Sequence, residues 1–538
     1  MMGSACGRFQ RMSHLTLSLV RRSGLWLLAL NLSACINGPA VDLAPTYEPA
    51  QFVVPDSWRG ASPFIRAKPS DGEVRQAWWT LFNDPVLNSL EQQAMASNPD
   101  LQAAAERFVQ ARDMMMRARA SFVPHLGIGF GASNNRQSDN SLFRGIGEPD
   151  SAAQVTTGGI ASWEPDFWSA LRNRMRAQIA TAESVAADFA LARLSLQAEI
   201  ADDYFTLRGY DAQNEIYKES IDYYTESLRI IQEQFKGAIA SALDVARAEY
   251  LLHDTEAKKI GIEANRQVAE HALAILVNKV PASFKIEPVE DLQMPDFMIP
   301  QTLPSTLLER RPDIAKMERQ MAKANREIGI ARAAFFPNVS FRLDGGFEDN
   351  GFNLISLANS FWSYGSTVSL PIFQGGYRRA QLQQSWSAYR ETEDKYRATV
   401  LNAFREVENG LSQTKLYTAE SERQKAAVEA ALKSQALTMQ LFKGGLNSSL
   451  DLIYAQIYTL AARINYVQVR NGLQKVSVAL VRSLGGGWNR KQLPTDEQIQ
   501  PFDIFEYDKL DKPQPVGGID VNADNNKLYN DLTKSVKP

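Results

Sequence analysis

Two long stretches of the chain follow a helical hydrophobic period, and each ends in nearly the same ten residues. Phe235 to Asp244 reads FKGAIASALD, and Phe442 to Asp451, 207 residues later, reads FKGGLNSSLD. A helical pattern runs into each copy and another runs out. Each copy therefore reads as a tight turn at the far end of a helical hairpin. A repeat of this kind makes the 538-residue chain two versions of one unit rather than a string of unrelated domains.

The helices feeding these turns are long. Phe167–Phe235 and Gln374–Phe442 are 69 residues each with no proline, which is about 100 Å of helix if unbroken. Leu191, Leu194, Ala198, Ala201 and Phe205 recur at steps of 3 and 4, a heptad seam. Leu196, Ile200, Tyr204 and Leu207 form a second stripe, about 140° further round the helix. Two seams call for a neighbour on each side, as in a helical tube; a helix buried in an ordinary bundle has the same pattern. Return helices are expected at about 242–279 and 448–484, and Gly485-Gly486-Gly487 ends the last one.

Earlier in each unit a shorter helix is expected. Asp84-Pro85 and Asn98-Pro99-Asp100 are helix starts, the second running to about Ala120, and Arg311-Pro312-Asp313 repeats that opening 213 residues on. Both helices end in a Phe-then-Pro break, Phe122-Val123-Pro124 and Phe335-Phe336-Pro337. The period then changes from 3.6 to 2. Leu126, Ile128 and Phe130 alternate with glycines, and Val339, Phe341 and Leu343 with polar residues. Polar stretches at about 132–151 and 344–358 read as loops, followed by alternating segments at about 153–165 and 361–371. Each pair of strands is long enough to cross a membrane when tilted. A soluble hairpin with one wet face fits the same pattern. If the strands do span, four cannot close a barrel and open edges cannot face lipid, so several chains must share one; three would give twelve strands. Trp163, Trp362 and Tyr364 near the strand ends fit an aromatic girdle.

Composition narrows the chemistry. Fifty-eight basic residues against 61 acidic ones give no basic stripe for nucleic acid. The four histidines, His14, His125, His253 and His271, have no metal-like spacing to each other or to cysteine. No catalytic motif is present, so nothing asks for an enzyme, and no cofactor is expected.

At the N-terminus, Arg8, Arg11, Arg21 and Arg22 precede the apolar run Leu25–Leu30, a secretory signal over 1–34. Leu32-Ser33-Ala34-Cys35 resembles a lipobox, which implies cleavage before Cys35 and a covalent lipid on its sulfur. The other reading is a plain cleavage site with a chance cysteine. Ile36, not Asp, follows the cysteine, which by the usual sorting pattern implies the outer membrane. Residues 35–77 are proline-rich and read as a tether, or a strap lying on a neighbour. The remaining organisation is a first unit at 78–280 (strand pair about 121–166, turn 235–244), a linker at 281–303, a second unit at 304–487 (strand pair about 335–373, turn 442–451), and a polar segment at 488–538 with a loose end.

Taken together, these residues resemble the TolC-type outer-membrane efflux proteins, in their lipoprotein (NodT-like) branch. The matching stretches are Trp78-Trp79 with Leu81 to Pro85, Leu308 to Ile314, Ala331 to Pro337, Ser162 to Trp168, Leu370 to Gly376, and the two turns. The resemblance implies a mainly α, internally duplicated homotrimer. Its transmembrane β part would be a twelve-stranded barrel, four strands per chain, continued by a long α-helical barrel across the periplasm. It implies an inner-membrane pump and a periplasmic adaptor as partners, with the adaptor docking at the turns around Gly237, Gly444 and Gly445. It also implies a constriction at those turns. Asp244 and Asp451 match family positions there; Tyr454 stands where the family often has Asp, and Asn447 where it can have a base. Six carboxylates around a narrow neck would favour cations. The same aspartates fit capping boxes, Ser241-x-x-Asp244 and Ser448-x-x-Asp451, and both roles stand. A duct for secreted polypeptides and a non-inserting coiled-coil lipoprotein remain as alternatives.

Overall fold

A computed structural model describes residues 40–48, 52, 58, 77–136, 138, 151–289, 308–354, 356–495 and 499. Cys35, the signal segment, most of the 281–303 linker and the C-terminal tail lie outside the described residues.

Two short helices come first, α1 (Pro85–Ser97) and α2 (Pro99–Ala120). Asp84 caps α1 through the amides of Val86 and Leu87, and Asn98 caps α2 through that of Leu101. Strands β1 (His125–Arg136) and β2 (Ser151–Trp163) follow, then the long helix α3 (Ala170–Lys236) and its return α4 (Ala242–Leu276). The second unit repeats the order: α5 (Pro312–Ala333), β3 (Asn338–Asp349), β4 (Ser360–Ser369), α6 (Tyr377–Lys443) and α7 (Ser449–Ser483). Helices α3 and α6 have 67 residues each, about 100 Å of rise. Gly485, Gly486 and Gly487 all take positive φ directly after α7.

The strands form one antiparallel sheet in the order β1-β2-β3-β4. β1 and β3 run further than the alternation of large apolar residues, through Arg136 and Asp349. Residues 132–136 and 344–349 are therefore strand, not loop: ladder pairing needs only the backbone, so small and polar side chains do not interrupt it. Register separates two faces, because directly paired residues share one. Leu126, Ile128 and Phe130 lie on the same face as Trp163, Phe341, Leu343, Tyr364 and Trp362. The other face carries Ser162, Arg342, Asp344, Ser363 and Thr367, with Ile160 and Phe361 as exceptions. The apolar face is open: Ile128 is 94% exposed and Trp362 73%. Gly158 faces Gly346 across β2 and β3, where a Cβ on either would run into the opposite backbone. The indole of Trp163 donates to the Phe122 carbonyl and that of Trp168 to the Pro337 carbonyl. These bonds pin the sheet to the two Phe–Pro breaks.

The helices make two tiers. In one, α2 packs on α3, α3 on α5 and α5 on α6; in the other, α4 packs on α3, α3 on α7 and α7 on α6. Both stripes read on α3 are used: Leu194, Ala198, Ala201 and Phe205 are buried, and so are Leu196, Ile200, Tyr204 and Leu207. The largest core gathers Trp78, Trp79, Phe82, Phe108, Phe189 and Tyr204, where the two tiers meet along α3. A buried ionic cluster lies beside it. Asp211 accepts from Arg208 at 2.8 Å and from Arg266 at 2.5 Å. Glu270 accepts from the Ile286 amide at 2.6 Å and from Arg266 at 3.4 Å. Tyr204 donates to Asp84 and accepts from Arg208.

Over its described part, the N-terminal strap lies on the chain's own helices. Asp42 accepts from Asn173 and Arg176 of α3, and the carbonyls of Leu43 and Pro45 accept from Arg332 and Asn325 of α5. Gly329 of α5 makes room for the strap; a Cβ there would meet Ala44 at 2.8 Å.

Candidate functional site

The repeated strings form two turns of one design. Helix α3 stops because Ala238 takes a left-handed φ of 58°, and α6 because Gly445 takes one of 71°. The Ile239 amide donates to the Gln234 carbonyl at 2.8 Å and that of Ala238 to Phe235 at 3.0 Å. Leu446 and Gly445 repeat these bonds to Leu441 and Phe442 at 2.9 and 3.0 Å. This paired pattern is a Schellman stop. Gly237 and Gly444 hold the preceding position with negative φ.

Each return helix begins with a capping box. Asp244 Oδ2 accepts from the Ser241 amide at 3.0 Å, and the Asp244 amide donates to Ser241 Oγ at 3.2 Å. Asp451 and Ser448 repeat the box at 3.3 and 3.2 Å. The helix-cap role read from the sequence is therefore present at both aspartates. Asp244 does more. Its Oδ1 accepts from Ser449 Oγ at 2.5 Å, which joins the first turn to the second. Bonds from Ser241 first, and from Ser449 next, hold the Asp244 carboxyl below its ordinary range. Asp451 has no cross-hairpin bond among the described residues.

Asp451 and Tyr454 both stand exposed on α7, and the Tyr454 ring stacks on Tyr458 with centroids 6.2 Å apart. Positions i, i+3 and i+7 put Asp451, Tyr454 and Tyr458 on one helix face. Asn447 is half-buried in the second turn. Ser449 and Tyr458 did not emerge from the sequence reading. The spacing of four from Tyr454 to Tyr458 was available; the contact of Ser449 with Asp244 depends on how two distant hairpins pack.

Further up, α3 is clamped to α7. Tyr224 donates to the Gln456 carbonyl at 3.0 Å, Gln456 donates to Ser227 at 2.6 Å, and Arg463 pairs with Glu219. At the tips, Ile239 and Leu446 occupy the position that normally packs back on a Schellman helix, yet they are 79% and 78% exposed.

The family model described as "Outer membrane efflux protein" matches residues 90–279 and 303–486, one match in each unit. The chain belongs to this family. Family membership makes it an efflux channel of the outer membrane that extends into the periplasm, with the family's mainly α, duplicated fold and β-barrel part. Relatives include the pyoverdine export outer membrane protein OpmQ of Pseudomonas aeruginosa, 28% identical over 85% of this chain and 96% of its own length. Nodulation protein T of Rhizobium leguminosarum bv. trifolii is also 28% identical, over 86% of this chain and 96% of its own. The solved outer-membrane channel OprN superposes with a TM-score of 0.77 at 26% identity, covering 83% of this chain and 99% of that one. The CmeC channel of Campylobacter jejuni superposes at 0.78 and 22% identity, covering 84% and 96%, a likeness of fold.

Proposed function

We propose that three copies of the chain close edge to edge into one export duct of a tripartite efflux system. The observation that carries this reading is that, among the described residues, each tier ends on both sides in an element that has a neighbouring strand or helix on one side only, with the strap's Phe52 and Trp58 resting on Phe404 of α6. β1, α2 and α4 end the three tiers on one side; β4 and α6 end them on the other. An open strand edge in lipid leaves backbone groups unsatisfied, so β4 must meet β1 of a neighbour. Three copies give twelve strands, about the number that leaves a bore rather than a packed interior. The apolar face of the sheet then meets lipid, and the polar face lines the bore.

Small molecules would arrive from an inner-membrane pump through a periplasmic adaptor. The exposed Ile239 and Leu446, raised on the turns at Gly237 and at Gly444 and Gly445, are the adaptor's docking knobs. The gate is formed by Asp244, Asp451, Asn447 and Tyr454, with Asp451 and Tyr454 turned to the bore. Residues 1–34 are removed as a signal, and Cys35 carries the lipid. The strap is already held at Val41, whose amide donates to the Phe167 carbonyl, six residues later and at most about 22 Å of extended chain, so the lipid enters the membrane beside its own barrel.

Single-channel recording on the purified, lipid-reconstituted protein tests the duct. Conductance steps with cation preference are expected. A protein that adds no conductance would be a periplasmic spacer. Drug sensitivity of a deletion strain separates efflux from polypeptide secretion.

A further inference from the structure

The four helix ends that adjoin the sheet are basic out of proportion to the chain. Residues 113–120 of α2, 170–182 of α3, 326–333 of α5 and 377–390 of α6 carry ten arginines, no lysine and two carboxylates. The whole chain has 58 basic residues against 61 acidic ones, so its general charge does not account for this belt. Both carboxylates are occupied: Asp113 pairs with Arg112 at 3.2 Å and Glu327 with Lys323 at 3.9 Å. In the link ahead of α3, Asp166 accepts from the Leu171 and Arg172 amides, and Glu164 is the other acid of that link. Three of the arginines converge under the strap. Arg176 and Arg326 both donate to Asp42 Oδ2, at 2.7 and 3.5 Å, and Arg332 donates to the Leu43 carbonyl at 3.1 Å. Three guanidiniums thus meet one carboxylate. Burial, and repulsion from Arg176, hold the Arg326 guanidinium below its ordinary range. The Arg332 guanidinium lies 5.6 Å from the centre of the Trp386 ring. Arg379 stands two turns nearer the sheet on the same face of α6 as Trp386. It is exposed and has no partner among the described residues.

We infer that this belt binds the phosphates of anionic phospholipids in the periplasmic leaflet of the outer membrane, with Arg332 and Arg379 as its outward members. The inference rests on the inserted sheet and the lipid anchor proposed above. A strap tied to a lipid outside a closed barrel marks the outer face; Lys316, Lys323 and Glu327 lie on the opposite face of α5. The level is also right. Val339 pairs with Val368 as the last lipid-facing rung of β3 and β4. Between that rung and the helices, Trp168 stacks on Phe336 with centroids 4.6 Å apart, as aromatic rings do at a membrane surface. Arg176, Arg326, Arg332 and Arg379 lie within about 10 Å of their helix ends, and a headgroup layer is about 5–7 Å thick. The helices extend into the periplasm, so this leaflet is the phospholipid one. Arginine rather than lysine suits the partner, because a planar guanidinium grips two phosphate oxygens at once. Basic clusters beside a membrane-spanning segment attract anionic lipid in the same way. Lipid phosphates would then supply the counter-charge that Asp42 alone does not, and hold the barrel at a fixed depth.

Native mass spectrometry of the full-length, detergent-purified protein, titrated with one lipid at a time, tests this. Phosphatidylglycerol should bind about tenfold or more tightly than phosphatidylethanolamine, and less tightly as salt is raised. Millimolar inorganic phosphate should not displace it. Arg379→Gln should weaken phosphatidylglycerol about fivefold, and Arg332→Gln/Arg379→Gln about 25-fold. Lys415→Gln/Lys433→Gln, the same loss of charge on the distant half of α6, should change nothing. Arg379→Gln removes no contact within the chain, so it keeps the test open if Arg332→Gln loosens the strap. Equal affinity for the two lipids, or an unchanged affinity in the arginine variants, overturns the inference. Displacement by inorganic phosphate makes the belt a site for free anions and overturns the lipid assignment. Bilayer conductance of the same preparation separates the two readings. Conductance without lipid preference overturns this inference alone; absence of conductance sinks the inserted sheet and this inference with it.

Discussion

Ser449 at the start of α7 donates to Asp244 at the start of α4, although 205 residues separate them. One carboxylate thus caps its own helix with Oδ2 and holds the other hairpin with Oδ1. Ser449→Ala keeps both caps and removes only the tie between hairpins, a loss of about 1 kcal/mol. Higher conductance at low voltage is expected, with faster amide exchange around 445–449. Asp451→Ala should raise conductance and also lower cation preference, since it removes charge from the neck. Unchanged conductance and selectivity for Asp451→Ala would leave that residue as a cap alone. The sign with pH follows from the lowered Asp244 carboxyl. The tie is fully formed above the ordinary value of 3.8 and is lost as pH falls through the lower, folded one. A neutral periplasm keeps it charged, and only strong acid releases it.

The two turns share one backbone, but the left-handed position is Ala238 in the first and Gly445 in the second. A side chain in that region costs about 1 kcal/mol or more, and glycine does not bear that cost. Ala238→Gly should therefore slow opening of the first turn, offset in part by the freer unfolded chain. Gly445→Ala should speed opening of the second, about fivefold for each 1 kcal/mol. Hydrogen exchange at the Ile239 and Leu446 amides, which close the two stops, reads both. Equal exchange in wild type and both variants would contradict the strain argument.

Much of this architecture was legible because it is local or periodic. The repeated FKG strings encode helix stop and helix start within ten residues, so both turns and both capping boxes could be read from single segments. The two stripes on α3 announced neighbours on two sides. The strand ends at Arg136 and Asp349 were harder, because glycine, serine and asparagine extend a ladder without announcing it. The Ser449–Asp244 tie and the clamp of Tyr224 on Gln456 lay beyond reach. They depend on the distance between two hairpins, which no periodicity states.

Glu91 of α1 is wholly buried, and neither carboxyl oxygen has a hydrogen-bond partner among the described residues. Burial raises its carboxyl well above the ordinary 4.5. The folded state therefore holds the proton more tightly than the unfolded chain. Its contribution to stability is best below pH 4.5 and declines as pH rises toward the raised value. Glu91→Leu should stabilise the protein by about 1–3 kcal/mol at neutral pH, the cost of an unsatisfied buried polar group. It should also flatten the pH dependence of thermal unfolding above pH 4.5. Glu91→Gln removes the titration but leaves a buried amide unpaired, so it should flatten the profile with a smaller gain. A wild-type unfolding temperature that rises between pH 4.5 and 7 in step with Glu91 would reverse the sign argued here.

The buried cluster of Arg208, Asp211, Arg266 and Glu270 belongs to the first unit alone. An offset of 207 places Lys415, Thr418, Leu473 and Ser477 at the matching positions of the second. The hairpin α3–α4 is thus fastened by charge to the segment at Ile286 and Glu287, whereas α6–α7 packs through Val407, Leu411, Val478 and Leu480. A buried charge that loses its partner is expensive. Arg266→Leu leaves Asp211 with Arg208 and Glu270 with the Ile286 amide as their remaining partners, and should cost up to about 3–5 kcal/mol. Adding Asp211→Thr, the second unit's residue, removes the carboxylate that has lost one of its two cations and should recover part of that loss. Denaturant unfolding of the two variants, followed near α4 by hydrogen exchange, orders them. If the double variant is less stable than Arg266→Leu by the full cost of Asp211→Thr alone, the two residues are not coupled and the cluster is not the fastener of this hairpin.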